Sequence, residues 1–377
     1  MEKSKNIYMD YAASISPNPS SIHSAGVEAK KKLEKARKKC ANILGTQLRN
    51  IIFTSGGTES NNLAIQGIVF SWFQEGNKNL PHIITTNIEH SSVLETFKML
   101  EKRKLAQISI VPVESSGIID PKKIKKEIKK NTVLISIMYA NNEIGTIEPI
   151  REIAKEVRHY KKTNSQFYPF FHTDAVQAVN YLNLNVEKMG IDLLSLSGSK
   201  IEGAGRVGML YKRDNIPLVN ILSGGDQEMG FRPGTENLFE IVEFVSALEL
   251  TEKIKEKESK RLLKLRDYFI KKLLNLNSEI KINGDIENRL PNNVNITIPK
   301  IPSDLLVIEL SARGIYVSEK SACKSGDKEG SYVVKAISPG QSGSLRFSLG
   351  RETSKSDIDY TIKSLKEILK KLKKWYN

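Results

Sequence analysis

The 377-residue chain is poor in the residues that build metal sites and disulfides, with two cysteines, Cys40 and Cys323, and five histidines. No Cys or His pair has the close spacing of a zinc site, so no metal is expected. Two cysteines allow one disulfide at most, and nothing points to an oxidising compartment. No apolar run approaches the roughly 20 residues of a membrane span, so no membrane association is expected. The start, Met1-Glu2-Lys3-Ser4-Lys5-Asn6, has no apolar signal-peptide core behind it, and a cytoplasmic location is expected. Internal repeats and low-complexity linkers are also lacking. Acid is scarce relative to base, with 43 Asp and Glu against 58 Lys and Arg and a net charge of +15. The lysine runs at 30–32, 122–130 and 370–374 read as solvated helix faces. A nucleic-acid partner is the disfavoured alternative, because no RNA-binding signature with interleaved aromatics accompanies them. Hydrophobic content of 39% and charged content of 27% are those of a globular chain. The length is enough for a large core in two domains.

Short apolar runs alternate with amphipathic stretches. Ile51 to Thr54, His82 to Thr86, Gln107 to Val113, Thr132 to Tyr139, Phe170 to Asp174 and Val207 to Tyr211 read as strands. Helices are expected at about 27–44, from Leu63, and at 150–162, with a long one continuing toward residue 275. Such alternation predicts a doubly wound, mainly parallel sheet with helices on both faces. The later chain reads as strand (292–298), helix (303–312), strand (315–318) and strand (about 343–351), a smaller α+β domain. The expected division is 15–255 for the large domain, and 1–14 with 256–377 for the small one.

Ligands of open α/β folds sit at the carboxyl ends of the strands, and several chemistry-bearing residues fall there. The run Asp192 to Lys200 ends in small polar residues and one lysine, followed by the glycine-rich Gly203 to Gly208. A lysine so placed can form a Schiff base with pyridoxal phosphate (PLP), or be a solvated loop residue. Ser55-Gly56-Gly57-Thr58 between strand and helix is either an anion site with a hydroxyl from Thr58, or a turn capped by Thr58. His90 opens a helix, where its ring can stack on a cofactor or simply cap. Asn141-Asn142 suits a turn or carboxylate binding. Asp174 either keeps a pyridine nitrogen protonated or caps a following helix on which Gln177 lies one turn further. Arg346, amid apolar residues, wants a carboxylate. Cys323 lies in a polar loop between Lys320 and Lys324, which favour its thiolate. Cys40 falls on an apolar helix stripe and reads as core.

These segments, in this order, resemble the cysteine desulfurase family of the NifS/IscS kind, in the class V aminotransferase group of fold-type I PLP-dependent transferases. The matching stretches are FTSGGTESNN (53–62), Ile88-Glu89-His90, ANNEIG (140–145), HTDAVQA (172–178), DLLSLS (192–197), GTEN (234–237), Ser321-Ala322-Cys323 and SLRFSLGR (344–351). The resemblance covers nearly the whole chain. It implies PLP held by Lys200, with His90 on the ring and assisting proton transfer. Asp174 would pair with the pyridine nitrogen and Gln177 with the phenolate oxygen. Gly57, Thr58, Ser197 and Ser199 would surround the phosphate, with Thr235 reaching it from the other subunit of a homodimer. Asn142 and Arg346 would bind the carboxylate of L-cysteine, and Cys323 would take the sulfur as a persulfide. A sulfur-acceptor protein, either an iron–sulfur scaffold or a tRNA thiolation enzyme, is the implied partner.

The chain departs from the family pattern at Ser199, where histidine is usual, and at Glu202, Ala204 and Arg206. It also lacks most of the stretch between Asp10-Tyr11-Ala12-Ala13-Ser14 and Asn18-Pro19-Ser20-Ser21. Two other functions fit less well. One is another PLP reaction, as in a selenocysteine or cysteine lyase or an aminotransferase. The other is a degenerate, non-enzymatic homologue that binds a partner or RNA.

Overall fold

The computed structural model describes residues 7–319, 330–341, 343–372 and 374. Its larger sheet runs β1 (Ile51–Thr54), β7 (Gly208–Lys212), β6 (Leu193–Ser197), β5 (Phe170–Asp174), β4 (Thr132–Ser136), β2 (His82–Thr86), β3 (Gln107–Val111). Pairing from β3 through β6 is parallel, and β7 is antiparallel to both its neighbours. Strand β1 therefore points the same way as β6. The carboxyl ends of β1, β2, β4, β5 and β6 share one edge.

The side-chain period of two splits each strand between two cores. Ile51 and Phe53, Ile84, Ile135, Phe171, Leu194, Met209 and Tyr211 join one apolar cluster. Their neighbours Ile52, Ile83, Leu134, Phe170, Leu193 and Leu210 join the other. Both faces are covered, which is why the strands read as nearly continuous apolar runs. The first cluster is closed by α1 (Ser24–Leu44), α5 (Ile150–Thr163) and the start of α7 (Leu238–Leu276). The second is closed by α2 (Gly57–Gln74) and α3 (Ser91–Lys102). Helix α1 stops at Gly45, whose φ of 69° satisfies the last carbonyls in a conformation glycine adopts freely. Short helices α4 (Pro121–Glu127) and α6 (Val186–Met189) complete the order up to α7.

Helix α7 is about 58 Å long at 1.5 Å per residue. Its far end packs into a third cluster with β8 (Lys281–Ile282), β9 (Asn293–Thr297), α8 (Ser303–Ser311), β10 (Leu345–Ser348) and α10 (Lys355–Leu372). Strands β8, β9 and β10 form a small antiparallel sheet. Helix α9 (Tyr332–Ile337) instead packs Val333, Val334 and Ile337 into the first cluster.

Two expectations need correction. Residues 315–318 are not a strand; only Ser318 makes a bridge, to Arg346. No α-helix begins directly after Asp174. The chain turns tightly there, with the Val176 N–H donating to Asp174 Oδ1 at 3.0 Å. No described helix is long and apolar enough to cross a membrane.

Candidate active site

A cavity of about 480 Å³ opens at the shared carboxyl edge of the strands. Each strand end delivers part of it. Strand β1 leads into the N-terminus of α2, placing Gly57 and Thr58 on the wall. Gly56 caps α2 with no side-chain bond, so Thr58 is inside the helix and not its cap. The first N–H groups of α2 remain for an anion. A Cβ on Gly57 would stand 2.9 Å from Val176 Cγ2 and 3.3 Å from Ser197 Cβ, so glycine is what keeps the cradle open.

His90 follows β2 and caps α3, its Nδ1 accepting from the Ser92 N–H at 3.2 Å and lying 2.8 Å from Ser92 Oγ. Asp174 ends β5 and is 5% exposed, with Gln177 in the turn beyond. Asn61 Nδ2 donates to Asp174 Oδ2 at 2.7 Å and to Ser92 Oγ at 2.9 Å. Beyond β6 a tight helical turn, Gly198–Lys200, presents Lys200 to the cavity. The Lys200 carbonyl accepts from Asn180 Nδ2 at 2.6 Å. Ser199, which stands where the family's histidine is expected, bonds Ser197 Oγ at 3.0 Å.

The opposite wall comes from the small sheet. Arg346 on β10 donates to the Asn142 carbonyl at 3.0 Å. Burial lowers its pKa, and the nearby Glu143 carboxylate counters that. Lys200 and Arg346 face one acid, Asp174, among the described lining residues. The cavity is therefore suited to anionic ligand groups.

The amide oxygens of Asn61, Asn142, Asn180 and Asn292 are buried without a hydrogen-bond partner among the described residues, and all four residues line this cavity. Unpaired buried acceptors are costly, by about 1–3 kcal/mol each, and their concentration here marks a polar ligand site. The residues fit PLP. An anion cradle, a buried carboxylate and a lysine converge on one space.

One cavity thus collects Lys200, His90, Asp174, Gln177, Asn142 and Arg346, together with Gly57, Thr58, Ser197 and Ser199. Thr235 does not line it; it is exposed in the loop before α7. Cys323 lies outside the described residues. Asn61, Ser92, Asn180, Tyr181 and Asn292 also line the cavity and were not singled out from sequence. Cys40 is buried as expected, and burial pushes its thiol up to about 12.

Comparison with known proteins decides the family. The aminotransferase class-V family model matches residues 1–361. The curated cysteine desulfurase IscS of Dictyoglomus turgidum is 42% identical, over 98% of this chain and 96% of its own length. The chain belongs to the cysteine desulfurases of the class-V aminotransferase family. It is accordingly a PLP-dependent enzyme of fold type I. Among solved structures, a NifS-like protein matches with a TM-score of 0.85 at 35% identity, over 94% of this chain and 92% of that one. The protein SspA, solved in complex with cysteine, matches with a TM-score of 0.74 at 32% identity, over 88% and 90%.

Proposed function

We propose that this cysteine desulfurase family member converts L-cysteine to L-alanine and holds the sulfur as a persulfide on Cys323. The observation that carries the reading is the convergence of Lys200, Asp174, His90, Asn142 and Arg346 on one cavity. Asp174 would face the pyridine nitrogen of PLP, Gln177 its phenolate oxygen and His90 its ring, with Lys200 holding its aldehyde carbon. Gly57, Thr58, Ser197 and Ser199 would hold its phosphate, with Thr235 of a second copy in a homodimer. PLP, when bound, supplies a sink for the electron pair left at the substrate α-carbon.

The chain's own groups do the rest. Arg346 and the Asn142 side chain orient the substrate carboxylate, so that the α-proton faces the Lys200 amine, which removes it. The Cys323 thiolate attacks the substrate sulfur. A sulfur–sulfur bond forms as the substrate Cβ–S bond breaks with its electron pair left on Cβ, and one proton added at Cβ and one returned to the α-carbon give alanine. The persulfide then passes to an acceptor, an iron–sulfur scaffold or a tRNA thiolation enzyme, in the cytoplasm. The division into a PLP-binding unit (15–255) and a second unit (1–14 with 256–377) is part of this reading. It is supported by a separate third apolar cluster.

The test is an absorbance spectrum of the purified protein before and after L-cysteine, with alanine and sulfide assayed together. A spectral shift with alanine release is expected. A protein that stays colourless with added PLP would sink the reading. Cys323→Ala should abolish alanine release from L-cysteine; retention of that activity would favour a lyase.

A further inference from the structure

We propose that Asn61 is a positioning residue which, through Ser92, joins His90 and Asp174 into one hydrogen-bonded unit and fixes the His90 ring as the Nε2–H tautomer. The proposal rests on the assignment of His90 and Asp174 as neighbours of the cofactor.

The polarity of every proton in the chain follows from its two ends. His90 Nδ1 accepts from the backbone N–H of Ser92, a group that can only donate. Nδ1 therefore carries no proton, and a neutral ring holds its proton on Nε2. At the other end Asp174 is an acceptor, taking the Val176 N–H on Oδ1 and an Asn61 amide N–H on Oδ2. The Asn61 amide cannot be flipped, because its oxygen would then stand 2.7 Å from the carboxylate. Its second N–H is directed at Ser92 Oγ, which must accept it. Ser92 is left to donate its own hydroxyl proton to His90 Nδ1 at 2.8 Å, sharing that nitrogen's one lone pair with the Ser92 N–H. The order Asp174–Asn61–Ser92–His90 thus runs with all donors pointing one way at Asp174 and the other way at His90.

The burial of these groups gives the arrangement its strength. Asn61 is 1% exposed and Asp174 5%. Asn61 Oδ1 remains buried and, among the described residues, unpaired, which a merely structural amide would avoid. Helix α2 supplies Asn61, α3 supplies Ser92, and β5 supplies Asp174, so three separate elements are brought into register. The next residue, Asn62, has other partners, Thr58, Gln66 and Thr96.

The experiment is nitrogen NMR of the protein as purified, labelled with 15N-histidine, with no L-cysteine added. His90 should show a pyridine-like Nδ1 and a pyrrole-like Nε2. Asn61→Ala should move the His90 Nδ1 signal and lower kcat about tenfold, with KM for L-cysteine within about twofold, as expected for losing one hydrogen bond to a charged group. Asn62→Ala should leave the His90 signals in place. A His90 protonated on Nδ1 in the wild type overturns the proposal, as does Asn61→Ala with unchanged His90 signals. Should Asn61→Ala fail to fold, Ser92→Ala must move the same signal; no movement also overturns it. The tautomer is read without turnover. A protein with the Nε2–H ring but no desulfuration would therefore sink the functional reading alone.

Discussion

Arg37 and Glu228 form a buried ion pair whose disruption should be expensive and non-additive. Arg37 on α1 donates Nη1 to Glu228 Oε2 at 2.7 Å and Nη2 to Oε1 at 2.8 Å. Each residue is only 4% exposed. The Phe53 N–H also donates to Glu228 Oε2 at 2.8 Å, and Arg37 Nη1 to the Ile51 carbonyl at 2.7 Å. The pair thereby fastens β1, which runs into the glycine turn before α2, to the loop that leads to Thr235. Glu228 and Met229 both hold positive φ, at 49° and 60°, a conformation the pair must help to impose. In Glu228→Gln the guanidinium stays buried beside a neutral amide. Breaking a buried pair costs about 3–5 kcal/mol. Residual bonds to Ile51 and to the half-exposed Glu34 place the expected loss near the lower end, about 3 kcal/mol. Arg37→Met should cost a similar amount, by leaving a buried carboxylate. The double variant should be more stable than the sum of the two losses predicts, by about 2–3 kcal/mol. Urea unfolding, followed by circular dichroism and cofactor absorbance, measures all three. A loss below about 1 kcal/mol in Glu228→Gln would refute the reasoning, and so would additivity within about 0.5 kcal/mol.

Arg346→Ala should raise KM for L-cysteine by about 10–100-fold while cofactor absorbance stays, since charged hydrogen bonds are worth about 1.5–3 kcal/mol; steady-state kinetics with a spectrum of the same sample checks it. Lys200→Ala should lower turnover by at least roughly 10²–10⁴-fold, the share of proton transfer alone, as measured by alanine release. Burial pushes the Glu148 carboxyl from 4.5 up to about 8, so the folded state keeps a proton that the unfolded chain releases. Its stabilising contribution is present below about pH 4.5 and lost as pH rises through about 8, by at most about 5 kcal/mol at 1.4 kcal/mol per unit. Glu148→Gln should flatten that decline in denaturation midpoints taken from pH 5 to 9; an unchanged slope would count against it.

The central strands were legible because each is buried on both faces and so carries a short, mostly apolar run. The same rule misled at Ile315 to Ser318. That segment alternates well enough for a strand, but only Ser318 finds a neighbour to pair with. Strand β8 is two residues long and too short for any period to show. At the site, Lys200, Asp174 and Arg346 stood out as charges at the ends or middles of apolar runs. Asn61 did not, because it sits inside a helix beside a second asparagine. The signal was present in principle, since a polar residue in a helix as apolar as α2 must find a partner. Which of Asn61 and Asn62 faces inward depends on the register of α2 against the sheet. Asn180 and Asn292 come from turns with no local pattern; only the tertiary fold brings them to the cavity.

The charges of the cavity argue for two anionic groups and one cationic group in its ligands. Arg346 is partly withdrawn from water, and its hydrogen-bond partner in the cavity wall, the Asn142 carbonyl, is neutral. The burial that lowers its pKa is relieved by Glu143, whose carboxyl is itself engaged by the Ser331 hydroxyl. A ligand carboxylate is the natural complement. At the other end, the open N-terminus of α2 with Ser197 and Ser199 asks for a phosphate. Asp174, committed as an acceptor to Asn61 and Val176, asks for a protonated nitrogen between those two anions. A phosphorylated pyridinium at one end and an amino acid at the other satisfy all three demands at once. Lys200 lines the same cavity. An aminotransferase would meet the same electrostatic demands. The step to desulfuration therefore rests on the family assignment and on Cys323, and the cysteine-to-alanine assay is the experiment that separates them.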